Sequence, residues 1–226
     1  MHRIDLPQWM IERGKALNSF SSVAPRATAL VVVDMQNAYM AHGESLATSN
    51  AREIVPNVNR LSTAVRAMGG KVFFLRQTYT DEPPRALPEW QKQVSPKVAK
   101  VRERVRAGLP SHDVYNALDV QPVDVLVDKY RHSAFARHAS DLEAQLRAAG
   151  IDTLIIVGIA TNVCCESTAR DAFALGFRVL FVADATAALT DEEHNAALLS
   201  LRAVFADVRM TDEVLQVIAD SVAAHG

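Results

Sequence analysis

The chain has 226 residues, 49% of them hydrophobic and 22% charged, with a formal net charge of −2 and a pI near 6.4. That length and apolar content predict one α/β-type domain over residues 1–226 with a full core. The charge balance excludes the basic footprint of a nucleic-acid binder or of a protein held on an anionic membrane, leaving small molecules or other proteins as the expected partners.

Residues 1–25 read as an N-terminal helix, Leu6 to Leu17, and a Ser-rich linker. The charges in Met1-His2-Arg3-Ile4-Asp5-Leu6-Pro7 leave no apolar core for a signal peptide, and no later run is long enough to span a membrane. β-Branched runs then alternate with amphipathic stretches. Strands are predicted at Ala29 to Val33, Lys71 to Leu75, Val123 to Val127, Thr153 to Val157, Arg178 to Val182 and Asp207 to Met210, the pattern of parallel βαβ units. Ser140 with Glu143, and Thr190 with Glu193, have capping-box spacing, and Gly150 and Gly176 stand where helices should stop. The Pro-rich segment Thr80 to Pro110 reads as an excursion over the active face. Its basic run, Lys97 to Arg106, reads as a solvated helix face, with subunit contact as the alternative.

In an open, doubly wound sheet, ligands bind outside the carboxyl ends of the strands. Three reactive side chains are predicted just past such ends: Asp34, Lys129 and Cys164. Taken singly, each has an ordinary reading as a turn residue, a solvated lysine or a packed thiol. Together they are a nucleophile, a group to carry its proton and a positive charge, the set an acyl-transfer hydrolase needs. Cys164 falls in the first turn of a helix, where unpaired N–H groups favour the thiolate, and Lys129 is expected to lower its pKa further. Cys165 is adjacent, which excludes the usual structural disulfide and common zinc spacings and points to a reducing cytoplasm. The two thiols point about 100° apart on a helix, so Cys165 is expected to pack behind the site.

Asp34-Met35-Gln36-Asn37-Ala38-Tyr39, Lys129-Tyr130-Arg131-His132-Ser133-Ala134-Phe135 and Gly158-Ile159-Ala160-Thr161-Asn162-Val163-Cys164 resemble, in order, the three signature segments of the isochorismatase-like cysteine hydrolases. The resemblance implies a Rossmann-like, three-layer α/β/α sandwich around a six-stranded parallel sheet, and a triad of Asp34, Lys129 and Cys164. It further implies a cis peptide between Ile159 and Ala160, an oxyanion hole from the Ala160 and Cys164 N–H groups, and a homodimer or homotetramer. True isochorismatases carry glycine where Cys164 stands. The cysteine resembles the amide-cleaving branch, which includes ureidoacrylate and N-carbamoylsarcosine amidohydrolases. The nicotinamidase branch's metal-binding histidines have no counterpart in Arg76-Gln77-Thr78-Tyr79-Thr80-Asp81, so neither metal nor other cofactor is expected.

The resulting expectation is a cofactor-free hydrolase that cleaves the C–N bond of a small linear amide, ureido or carbamoyl compound through a thioester-type intermediate. Arg131, His132, Asn162, Arg76 and Tyr79 stand where they would grip the substrate. Two alternatives remain open at this point: a vinyl-ether hydrolase using acid catalysis by Asp34, and a thiol redox or ligand-binding protein using the cysteine pair.

Overall fold

The computed structural model describes residues 1–225. Six strands, β1 (Thr28–Val33), β2 (Lys71–Gln77), β3 (Val125–Lys129), β4 (Thr153–Ile159), β5 (Arg178–Ala187) and β6 (Asp207–Arg209), form one sheet in the order β3-β2-β1-β4-β5-β6. Every neighbouring pair is parallel. Alternation along the strands builds two cores. Leu30, Val32, Val72, Phe74, Ile155 and Val157 pack with Val58, Leu61 and Val65 of helix Val55–Ala67 and with Val214, Val217 and Ile218 of helix Thr211–His225. Ala29, Val31, Val33, Phe73, Leu75 and Ile156 point the other way, onto Leu142 and Leu146 of helix Leu142–Ala148, Ala169 and Ala172 of helix Glu166–Ala174, and Leu198 of helix Asp191–Ser200. With both faces covered, β1 and β4 are buried along their whole length, which is why they read as continuous apolar runs. The result is the three-layer α/β/α sandwich that the resemblance implies.

The chain winds outward through β1, β2 and β3, then returns to lay β4 on the other side of β1. That reversal leaves a crevice at the carboxyl ends of β1 and β4, where open α/β sheets bind ligands, and it sets Val33 beside Gly158. Gly158 has φ 113, and a Cβ there would lie 2.6 Å from Val33 N and closer still to Val33 O. The close approach of these strands therefore demands glycine.

Several elements differ from the sequence expectation in their bounds. β3 starts at Val125 rather than Val123, because Asp124 is folded into a turn by its N–H bond to Gln121 O (3.0 Å) and its carboxylate takes Arg66 Nη2 at 2.6 Å. Val123 is left 77% exposed. β5 continues to Ala187, across a register shift against β4 between Ile156 and Gly158. The N-terminal helix begins at Gln8, after Pro7. The Thr190–Glu193 capping box forms in both directions. The one expected at Ser140 and Glu143 does not: Ser140 Oγ donates to Ala134 O (2.7 Å) and accepts from Leu142 N (3.2 Å), and Asp141 stands at the N-cap. Gly150 (φ 69) and Gly176 (φ 85) adopt the left-handed conformation just past their helices. No helix among the described residues is long and apolar enough to cross a membrane.

Candidate active site

Asp34 follows β1 in a left-handed conformation, φ 53, which Asp tolerates better than most side chains. Its Oδ2 lies 2.8 Å from Lys129 Nζ, with both side chains buried. Lys129 ends β3, two strands away, so it reaches across β2 to make the pair. Its ammonium donates also to Gln77 Oε1 at the end of β2 (2.7 Å) and to Arg131 O (3.1 Å), which supplies an acceptor for each of its three protons. An ammonium this deep costs several kcal/mol unless it is fully paired. Burial pushes the Lys129 pKa down, while Asp34 foremost, with Cys164 beside it, pushes it up, for a net rise above its usual value. Gln77 is itself pinned by Gln36, whose Oε1 accepts from Gln77 N (2.7 Å) and whose Nε2 donates to Gln77 O (3.2 Å) and His112 O (2.8 Å). Asp34 Oδ1 is buried without a hydrogen-bond partner.

The thiol arrives from the other side of the crevice. β4 ends at Ile159, the Ile159–Ala160 peptide is cis, and Thr161–Cys165 form a π-helical turn that runs into helix Glu166–Ala174. Val163 N and Cys165 N both donate to Ala160 O (3.1 and 3.2 Å), closing the turn on itself. Cys164 is 8% exposed, yet it and Asp34 line the same cavity of about 710 Å³, with Ala160, Gln77, Tyr39 and His132. His132 Nδ1 is 3.5 Å from the sulfur. Burial, then the Lys129 charge, lower the His132 pKa, so its ring is neutral near pH 7.

The thiolate expected from the helix N-terminus is not the resting form. Burial pushes the Cys164 pKa up, Lys129 pulls it down, and the Asp34 carboxylate adds a second upward push, for a net rise. Lys129 thus acts in the expected direction but is outweighed. A thiol in this setting needs a base beside it at the moment of attack. Cys165 is fully buried in the core with Ala169 and Ala172 and is absent from the cavity wall.

The expected substrate-gripping residues divide. His132 and Tyr79 line the cavity, although the Tyr79 hydroxyl donates to Asp81 (3.1 Å). Arg131 also lines it, but its guanidinium is spent on the carbonyls of Arg85, Tyr130, Pro84 and Ala86, at 2.6, 2.7, 3.3 and 3.1 Å. Arg76 is drawn to Asp128 on the neighbouring strand, Nη2 to Oδ1 2.7 Å, and neither it nor Asn162 reaches the wall. Sequence reasoning missed Gln36 and Gln77, which lie at strand ends and carry no charge to draw notice. It also missed Arg102, although Val98, Val101 and Val105 around it have the spacing of an apolar helix face. Among the described residues, no group of three or more His, Cys, Asp or Glu side chains is placed to share a metal ion.

Behind the thiol-bearing turn, His194 Nδ1 pairs with Thr161 Oγ1 at 2.8 Å, while its ring stacks on His2, centroids 4.4 Å apart. Burial first, then His2, push its pKa down to about 4, with Asp191 and the backbone of Ala183 acting in the opposite direction. An unfolded histidine titrates near ~6.5, so the unfolded chain binds the proton first as pH falls. The neutral ring's contribution is intact above about pH 6.5 and is lost progressively down to about pH 4. Thermal unfolding across that window should show falling stability, and His194→Gln should flatten the slope.

An isochorismatase domain model matches residues 28–213. The chain belongs to the isochorismatase family. Within it, a ureidoacrylate amidohydrolase (RutB) of Pseudomonas savastanoi pv. phaseolicola is 35% identical over 204 residues, covering 84% of this chain and 82% of that protein. A cysteine hydrolase from Pseudomonas syringae pv. phaseolicola superposes with a TM-score of 0.81 at 29% identity, over 91% of this chain and 98% of that one. An N-carbamoylsarcosine amidase from Thermoplasma acidophilum does so at 0.66 and 26%, over 82% and 96%. The isochorismatase-family match takes in all three segments that bear Asp34, Lys129 and Cys164.

Proposed function

We propose that this protein is a cysteine-dependent amidohydrolase that cleaves the C–N bond of an amide, ureido or carbamoyl compound through a covalent intermediate. The observation that carries the reading is Asp34, paired with buried Lys129, sharing one cavity wall with Cys164. The named activities of the amidohydrolase relatives support it.

Asp34 takes the Cys164 proton as the sulfur attacks the carbonyl carbon, and the backbone N–H groups of Ala160 and Cys164 receive the oxyanion. When the tetrahedral species collapses, the C–N bond breaks and Asp34 passes its proton to the leaving nitrogen. The remaining thioester or thiocarbamate is hydrolysed by a water whose proton Asp34 accepts. The C–S bond then breaks and Asp34 reprotonates the sulfur. Lys129 balances the carboxylate charge between these transfers and fixes its orientation, while neutral His132 holds the sulfur by its ring nitrogen. Every proton movement uses groups of the chain itself.

The test is ammonia or amine release across a panel of amides, ureido acids and carbamoyl compounds, with rapid acid quench and intact-mass analysis of a substrate that turns over. A mass increase equal to the substrate less its leaving amine, mapped to Cys164, is expected. Turnover without any adduct, surviving Cys164→Ala, would overturn the covalent route.

A further inference from the structure

The cavity wall is unbalanced in charge. Among the described residues Asp34 is the only acidic side chain on it, and Lys129 directly behind pairs with that carboxylate. Three arginines, Arg85, Arg102 and Arg131, also line the wall. Arg131 is consumed by four carbonyls, and Arg85 is exposed with its guanidinium over the Tyr130 ring (4.6 Å). Arg102 is different. Helix Pro96–Arg104 lays Val98 and Val101 against the cavity, with Val105 just beyond its end, and Arg102 lies on that same face. Its neighbours Arg104 and Arg106 pair with Glu44 and with Asp81 and Glu103. Arg102 has no carboxylate partner among the described residues. Among the described residues its side chain makes one hydrogen bond, from Nη1 to Gln91 O at 2.7 Å, and its guanidinium lies 5.9 Å from the centroid of the Tyr79 ring, itself on the cavity wall. Its positive field reaches inward to Tyr39 and His132.

Resting on the hydrolase reading above, we propose that Arg102 is the specificity-determining residue that binds a carboxylate on the substrate, and that the substrate's body is apolar or aromatic. A planar fork with free donors, inside a largely apolar enclosure, is the usual means of recognising a carboxylate. Leu46, Leu87, Val94, Leu189 and the rim residue Trp90, 71% exposed, supply the apolar walls. A volume of about 710 Å³ suits a molecule larger than a few-carbon ureido acid. The basic run read from sequence as a solvated face thus supplies one inward-facing anion receptor.

Binding tests this independently of turnover. On the Cys164→Ala protein, calorimetric titration with phenylacetate and with the isosteric phenylacetamide should favour the acid by about tenfold to a hundredfold, the worth of a charged hydrogen bond. Adding Arg102→Gln should erase that preference and Arg102→Lys should restore part of it. Lys100→Gln, which removes an exposed charge from the same helix, should leave it in place. No preference for the acid, or a preference that survives Arg102→Gln, overturns the assignment. Absence of C–N cleavage across the substrate panel would instead remove the hydrolase reading and leave the binding result standing.

Discussion

Cys164→Ala is expected to lower kcat by about 10⁴-fold or more, because the alternative route would require water to attack the amide directly. The loss should fall on kcat, since the sulfur contributes to bond making rather than to ground-state binding. Stability should change by only about 1 kcal/mol, since alanine removes a single heavy atom at the wall of an existing cavity. Cys165→Ala provides the contrast: its sulfur faces the core, so activity should stay within a few-fold of wild type while the melting temperature falls slightly. Steady-state amine release with parallel thermal melts decides the matter. Turnover that survives Cys164→Ala would fit acid catalysis by Asp34 alone, and dependence on Cys165 would fit chemistry of the thiol pair.

Gly158→Ala should be the most damaging small substitution in the sheet. The new Cβ would meet Val33 N at 2.6 Å and come closer still to Val33 O, and φ 113 is a conformation L-residues avoid. These obstacles are backbone, so relief requires β1 and β4 to part, and those strands lead directly to Asp34 and Cys164. A cost of about 3 kcal/mol or more is expected, with loss of activity in whatever still folds. Gly43→Ala, at φ 85 with nothing within 4 Å, should cost only the backbone penalty of about 1–2 kcal/mol. Urea midpoints for both variants test this. A Gly158→Ala protein as stable as Gly43→Ala would mean that the strands do not approach so closely.

The sheet was legible because burial on both faces forces long β-branched runs, and Asp34 because a strand end dictates where its short side chain emerges, while Lys129 and Cys164 drew notice by their places in the signature segments. Long side chains escape that logic. Arg76 and Arg131 begin at the right rim but end on Asp128 and on four carbonyls, because a guanidinium goes to the best acceptors within reach. Arg102 was hidden for the opposite reason: a dense run of positive charge masked the valines at three- and four-residue spacing that turn its helix face inward. The resting state of the thiol could not be read locally, since burial and the Asp34 carboxylate outweigh Lys129 and are known only once the layers have closed. The capping box at Ser140 failed similarly, outcompeted by a carbonyl six residues back in the chain.

Arg131, two residues past Lys129, does more than fill space. Its side chain clasps three consecutive carbonyls at one edge of the Thr80 to Pro110 segment, Pro84 to Ala86, while its own carbonyl accepts a hydrogen bond from Lys129. Anything that lifts this edge, whether a bulky ligand or a redesigned loop, pulls on Lys129, which holds the Asp34 carboxylate. Attempts to broaden the range of accepted compounds by editing that edge should therefore slow the chemical step along with altering affinity. Leu189, carried just past β5 rather than by that segment, is the better place to begin.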